Sequence, residues 1–164
     1  MMNPTIVKLD EMRVAGLQIR TTNEAECGPN AKIGELWQRY YQEEHPFKTP
    51  HQKEPGIVLG VYSDYDSDET GEYSLLVGTV IEKNGELPAE LTVKTLPAST
   101  YAVFTTRVGP MVEVVMEAWA KVWEWSHQPG NKRTFTGDFE RYDGVRCADP
   151  NNAQVDLYIA ISEE

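Results

Sequence analysis

The sequence predicts an α+β fold: two pseudo-symmetric strand–helix–strand–strand units, with antiparallel sheets and two main helices around a central pocket. Three observations predict it. Ile33-Gly34-Glu35-Leu36-Trp37-Gln38-Arg39-Tyr40-Tyr41 reads like Val115-Met116-Glu117-Ala118-Trp119-Ala120-Lys121-Val122-Trp123, and both have helical spacing. Leu59–Asp66 reads like Thr136–Asp143, with Ser63 aligned to Glu140. Each helix is preceded by an alternating stretch and followed by two strand-like runs. A three-stranded sheet with one helix buries little alone, so two such units are expected to share a core, with a pocket at their junction. The whole chain, 1–164, then reads as a single domain with internal repeats at about 1–83 and 91–164.

The elements follow in order. Residues 5–20 alternate as one strand, with Val7, Leu9, Val14, Leu17 and Ile19 on its apolar side and an irregularity at Asp10-Glu11-Met12. Residues 92–107 repeat it, Val7-Lys8 matching Val93-Lys94 and Gly16 matching Ala102. Both matched residues at that last position are small, which predicts close approach of a neighbouring element. The first helix spans 31–44, with a stripe of Ile33, Leu36, Trp37, Tyr40 and Tyr41, and stops at His45-Pro46. Strands at 56–65 and 72–82 flank an acidic turn, Asp66 to Gly71. Glu82 to Glu90, with Asn84-Gly85 and Pro88, is the linker. The second helix starts at Gly109-Pro110, carries Val112, Val115, Met116, Trp119, Val122 and Trp123, and stops at Gln128-Pro129-Gly130. Strands at 134–142 and 154–162 complete the second half.

Composition narrows the function. A formal net charge of −11 opposes nucleic-acid binding and favours cationic ligands. No apolar run has the length of a membrane span. Met1-Met2-Asn3-Pro4 has neither a basic region nor an apolar stretch, so a cytoplasmic protein is expected. Cys27 and Cys147 then read as free thiols. His45, His51 and His127 have no metal-ligand spacing, no cofactor fingerprint is present, and neither a metal nor a cofactor is expected. The acidic turn around Asp64, Asp66, Asp68 and Glu69 lacks the glycine and closing Glu at the spacing of a calcium loop, and reads as a solvated hairpin tip.

Strand alternation places Asp138, Glu140 and Tyr142 on one face and Phe139 and Arg141 on the other. If the first face looks into the junction, Glu140 is a lone carboxylate among aromatic rings. Burial would disfavour its charge unless a partner, such as a bound cation, is supplied. The same position also suits a surface Glu paired with Arg141 or Arg146. Trp37, Tyr40, Tyr62, Tyr101, Trp119, Trp123, Tyr142 and Tyr158 fall in the duplicated elements and are the candidate aromatic lining. Aromatic faces attract cations.

The repeated Glu-[Leu/Ala]-Trp-x-[Arg/Lys] helix and the Phe139-Glu140-Arg141-Tyr142 strand resemble the GyrI-like domain, the effector-binding domain of multidrug-responsive bacterial transcription regulators such as Rob and BmrR. The resemblance implies eight antiparallel strands, two main helices and a central hydrophobic pocket. It also implies that the acidic residue of the aromatic-Glu motif, here Glu140, meets lipophilic cations there. This chain has Phe139 where the family often has Tyr. With no room for a DNA-binding domain, it resembles a stand-alone member. Such members include integron cassette proteins, a gyrase-inhibitory protein and hydrolases of strained-ring cytotoxins. The favoured reading is a small-molecule-binding protein for lipophilic cations, without catalytic residues, acting as a sensor or sequestering module. The alternatives are a hydrolase with Glu140 as general base assisted by Tyr142, and a protein directed at DNA gyrase. A homodimer or a separate regulator are further candidate partners.

Overall fold

The computed structural model describes the chain except residues 1–3, 30, 68–70, 83–86 and 163–164, and the side chains of 46 and 47. The middle of the acidic turn and most of the linker core lie outside the described residues. The strands are β1 (Thr5–Leu9), β2 (Met12–Thr21), β3 (Ile57–Ser63), β4 (Tyr73–Ile81), β5 (Thr92–Leu96), β6 (Ser99–Thr105), β7 (Asp138–Asp143) and β8 (Asp156–Ile161). There are two main helices, α2 (Ile33–Gln42) and α4 (Met111–Ser126), and two short ones flanking α2 in the chain, α1 (Asn23–Glu26) and α3 (His45–Lys48).

All eight strands form one antiparallel sheet in the order β1-β6-β8-β7-β3-β4-β2-β5. The order reads the same from either end when β1–β4 exchange with β5–β8, so a pseudo-twofold axis passes between β7 and β3. Each expected long first strand is in fact two. The acidic pair Asp10-Glu11 separates β1 from β2, and Pro97-Ala98, with no N–H at the proline, separates β5 from β6. β1 then pairs with β6, and β5 with β2, so each half lends its first strand to the other. A two-residue link spans at most about 11 Å between flanking Cα atoms. The sheet must therefore curl until its two ends meet.

The curl creates three cores. Val14, Leu59, Val61, Leu76, Leu96, Tyr101 and Phe139 fill the inside of the curled sheet. Leu36 and Tyr40 of α2 pack outside on Leu17, Val58, Leu75 and Val77. Ala118 and Val122 of α4 pack outside on Ala102, Phe104, Leu157 and Ile159. At Gly16, a Cβ would come within 1.9 Å of the Val77 carbonyl oxygen, and Gly16 faces Gly78 across the ladder. Close approach is thus observed at Gly16, but its match to Ala102 is corrected: Gly16 shares the inward parity of Val14, whereas Ala102 faces α4 on the other side of the sheet.

The expected alignment of Ser63 with Glu140 is corrected. Leu59 and Val61 point into the curled sheet, whereas Val58 and Tyr62 face the helices, and Ser63 shares the parity of Leu59 and Val61. Glu140 lies opposite Gly60, on the helix side. Superposing β3 on β7 with faces preserved brings Tyr62 onto Tyr142 and Gly60 onto Glu140. The match of Tyr65-Asp66 to Tyr142-Asp143 misled by an odd number of residues, which flips every side chain to the other face. Asp64, at φ +51°, ends β3 before Tyr65, so that tyrosine is no longer in strand register. The pseudo-twofold axis passes through the Gly60–Glu140 pair.

Candidate functional site

The helices α2 and α4 both pack on the outer face of the sheet. Between them lies a cleft of about 680 Å³ whose floor includes Val58 and Tyr62 of β3 and Glu140 and Tyr142 of β7. Ile33, Trp37 and Tyr41 of α2 form one wall, and Met111, Val112, Val115 and Met116 of α4 form the other. The expected α4 stripe is rotated in the structure. Its buried line is Val114, Ala118 and Val122, while Val112 and Met116 are 72% and 67% exposed. Small Ala118 seats the helix on the sheet, and the remaining apolar residues turn sideways into the cleft. On the opposite side, the Glu26 carboxylate accepts the Lys32 and Ile33 N–H groups and fixes the start of α2.

Glu140 is 3% exposed. Its Oε2 accepts from Trp119 Nε1 at 2.6 Å and from the Tyr62 hydroxyl at 3.0 Å. Its Oε1 accepts from the Tyr142 hydroxyl at 2.7 Å. All three donors are neutral. Burial holds the carboxyl above its ordinary pKa, and these hydrogen bonds only partly oppose that shift. Burial and the nearby carboxylate push the Tyr62 and Tyr142 hydroxyls well above the usual phenol range, so they remain donors. The surface-pair alternative does not hold: Arg141 pairs with Glu54 and Arg146 with Asp156. The space for this carboxylate depends on Gly60. A Cβ there would lie 3.1 Å from Glu140 Oε1 and 3.2 Å from the Trp37 ring.

Of the predicted aromatic lining, four residues gather around Glu140. Trp37 meets Tyr142 edge-on at 4.9 Å, and Tyr62 meets Trp119 edge-on at 5.2 Å. Trp123 stands farther along α4, 6.5 Å from the Trp119 ring, and lines an adjoining cavity. Three candidates lie elsewhere and are corrected. Tyr101 and Tyr158 sit inside the curled sheet, packed on Phe139 at 5.4 and 4.5 Å, on the face opposite Glu140. Tyr40 is fully buried beneath α2 and stacks on His45 at 5.6 Å. Sequence reasoning missed Ile33, Val112, Val115 and Met116 as lining, and Gly60 as the residue that opens the floor. The available signal was an apolar stripe on α4 wider than one packed face requires.

Residues 5–161 match the model of the family described as Cass2, integron-associated effector binding protein. The chain belongs to this family. The Cass2-type domain is 39% identical over 158 residues to the putative transcriptional regulator protein YobU of Bacillus subtilis, covering 96% of this chain and 97% of that one. Its fold matches the integron cassette protein from the mobile metagenome of Vibrio cholerae with a TM-score of 0.76 and 30% identity, over 98% of this chain and 96% of the other. It also matches SAV2435 bound to tetraphenylphosphonium with a TM-score of 0.77 at 21% identity, over 99% and 95% of the two chains. The chain is thus an effector-binding domain related to transcription regulators, with the eight-stranded fold that the GyrI-like resemblance implied. Among the described residues no helix is long and apolar enough to cross a membrane.

Proposed function

We propose that this domain binds lipophilic, aromatic cations in the cleft between α2 and α4, with Glu140 as the anionic anchor, as a cytoplasmic sensing or sequestering module. One observation carries the reading: Glu140 is buried at the floor of an apolar cleft and held only by neutral donors. A cation about 4 Å away would gain roughly 4 kcal/mol at an effective dielectric of about 20, before desolvation. Trp37, Tyr62, Trp119 and Tyr142 surround the carboxylate, and each ring face offered to a cation adds about 0.5–2 kcal/mol. The cleft has the size of a small-molecule site. The tetraphenylphosphonium bound to the similarly folded SAV2435 is a ligand of this chemical class.

Tryptophan fluorescence titrated with rhodamine 6G tests the reading. Quenching with a Kd in the micromolar range is expected, and Glu140→Gln weakens it by about tenfold or more. Unchanged binding in that variant removes Glu140 from the ligand site.

A further inference from the structure

The cleft has a second lobe. A cavity of about 450 Å³ adjoins the Glu140 cavity, and Ile33, Tyr62, Val112 and Met116 line both. Tyr62 and Trp119, in edge contact at 5.2 Å, stand at the boundary. Trp119 directs its indole N–H to Glu140 and lines the second lobe. Tyr65, Tyr73 and Trp123 belong to the second lobe alone.

The two lobes differ in charge as well as place. The first holds a carboxylate bonded to neutral donors. The charges lining the second are placed differently: Arg133 pairs with buried Asp138 at 2.8 Å, and Glu26, only partly buried, accepts from Thr21 and from the Lys32 and Ile33 N–H groups, with the Lys32 charge nearby. Its remaining lining is aromatic and aliphatic, apart from Asn23 and Cys27 at one side. Val112 and Met116, which line both lobes, are the most exposed apolar side chains on α4. A ligand filling both lobes would cover them, and one confined to either would leave part of this surface wet.

Resting on the proposed cation site, the geometry points to a two-part ligand: one cationic centre in the Glu140 lobe and an uncharged aromatic arm that passes Tyr62 and Trp119 into the second lobe. Trp123 and the rings around it select the arm, and Glu140 selects the charge.

Two probes test this by calorimetry: benzyltrimethylammonium, and its analogue lengthened by a phenethyl group at the ring 4-position. The lengthened probe is expected to bind at least about tenfold more tightly, since the added ring buries a large apolar area. Trp123→Ala should weaken the lengthened probe about tenfold and leave the compact probe within about twofold. Cys27→Phe, at an exposed position lining only the second lobe, should do the same by filling it. Circular dichroism checks that both variants fold. Equal effects on the two probes, or no effect on the lengthened one, overturn the second-lobe assignment. Glu140→Gln separates this from the parent reading: weakening of both probes upholds the cation site whatever the lobe variants do, and no weakening of either overturns that site itself.

Discussion

Two buried carboxylates stand two residues apart on the same face of β7, and they are finished differently. Asp138 is fully buried and has its cation: Arg133 at 2.8 Å, with the Tyr65 hydroxyl and the Ala160 N–H completing its shell. Glu140 is nearly as buried, yet its shell is two phenols and an indole. Asp138 belongs to a closed structural unit that ties β7 to β8 and to the segment before β7. Among the described residues no cation pairs with Glu140, and its carboxylate lines the floor of a cleft. Burial alone therefore does not mark a ligand site. On the proposed reading, the mark is a buried charge that the chain's own cations leave uncompensated.

Breaking the finished pair should have the largest effect. Asp138→Asn leaves Arg133 buried beside a neutral amide, and denaturant unfolding should show a loss of about 3–5 kcal/mol. Gly60→Ala should follow. Its methyl meets both Glu140 and the Trp37 ring at sub-contact distances, and crowding of this kind costs about 1–3 kcal/mol. Its signature is weaker rhodamine 6G binding together with altered Trp37 emission. Tyr142→Phe removes one donor from the ionised carboxylate, an interaction worth about 1.5 kcal/mol. Glu140 should then ionise at a higher pH, measured as an upward shift in the pH at which cation binding fades. Tyr158→Phe should have the smallest effect. Its ring lies on the far face of the sheet, and rhodamine 6G affinity should stay within about 0.5 kcal/mol of the unmodified protein.

The comparison also shows what sequence can and cannot carry. Helical spacing located α2 and α4 within two residues at each end, and alternation placed Asp138, Glu140 and Tyr142 on one face. The exchange of first strands was not legible, because Asp10-Glu11 reads as a local irregularity while its consequence is a partner at the far end of the sheet. The true counterpart of Glu140 was hidden for a related reason. Gly60 shares no chemistry with it, so matching by residue type drifted to Ser63, and only the ladder register restores the face. Tyr101 and Tyr158 looked equivalent to Tyr62 and Tyr142 because an aromatic strand residue fits either side of a sheet. Which side is wet is decided by the curl, a tertiary property. Glu140 itself was legible from the Phe139-Glu140-Arg141-Tyr142 strand motif and from alternation, which put it on one face with Asp138 and Tyr142.

The pH dependence of cation affinity tests the central claim most directly. Burial raises the Glu140 pKa, so in the free protein its ionisation opposes folding. The stability it contributes is present below the ordinary carboxylate range and is lost as pH rises through the raised value. A bound cation favours the ionised form, so affinity has the opposite trend. Titrating rhodamine 6G, which keeps its positive charge across this range, should give full affinity at neutral pH. Affinity should fall on acidification from a pH above that of an ordinary glutamate, and Glu140→Gln should abolish the dependence. Affinity that stays constant through that range, or that falls identically in Glu140→Gln, would contradict the account.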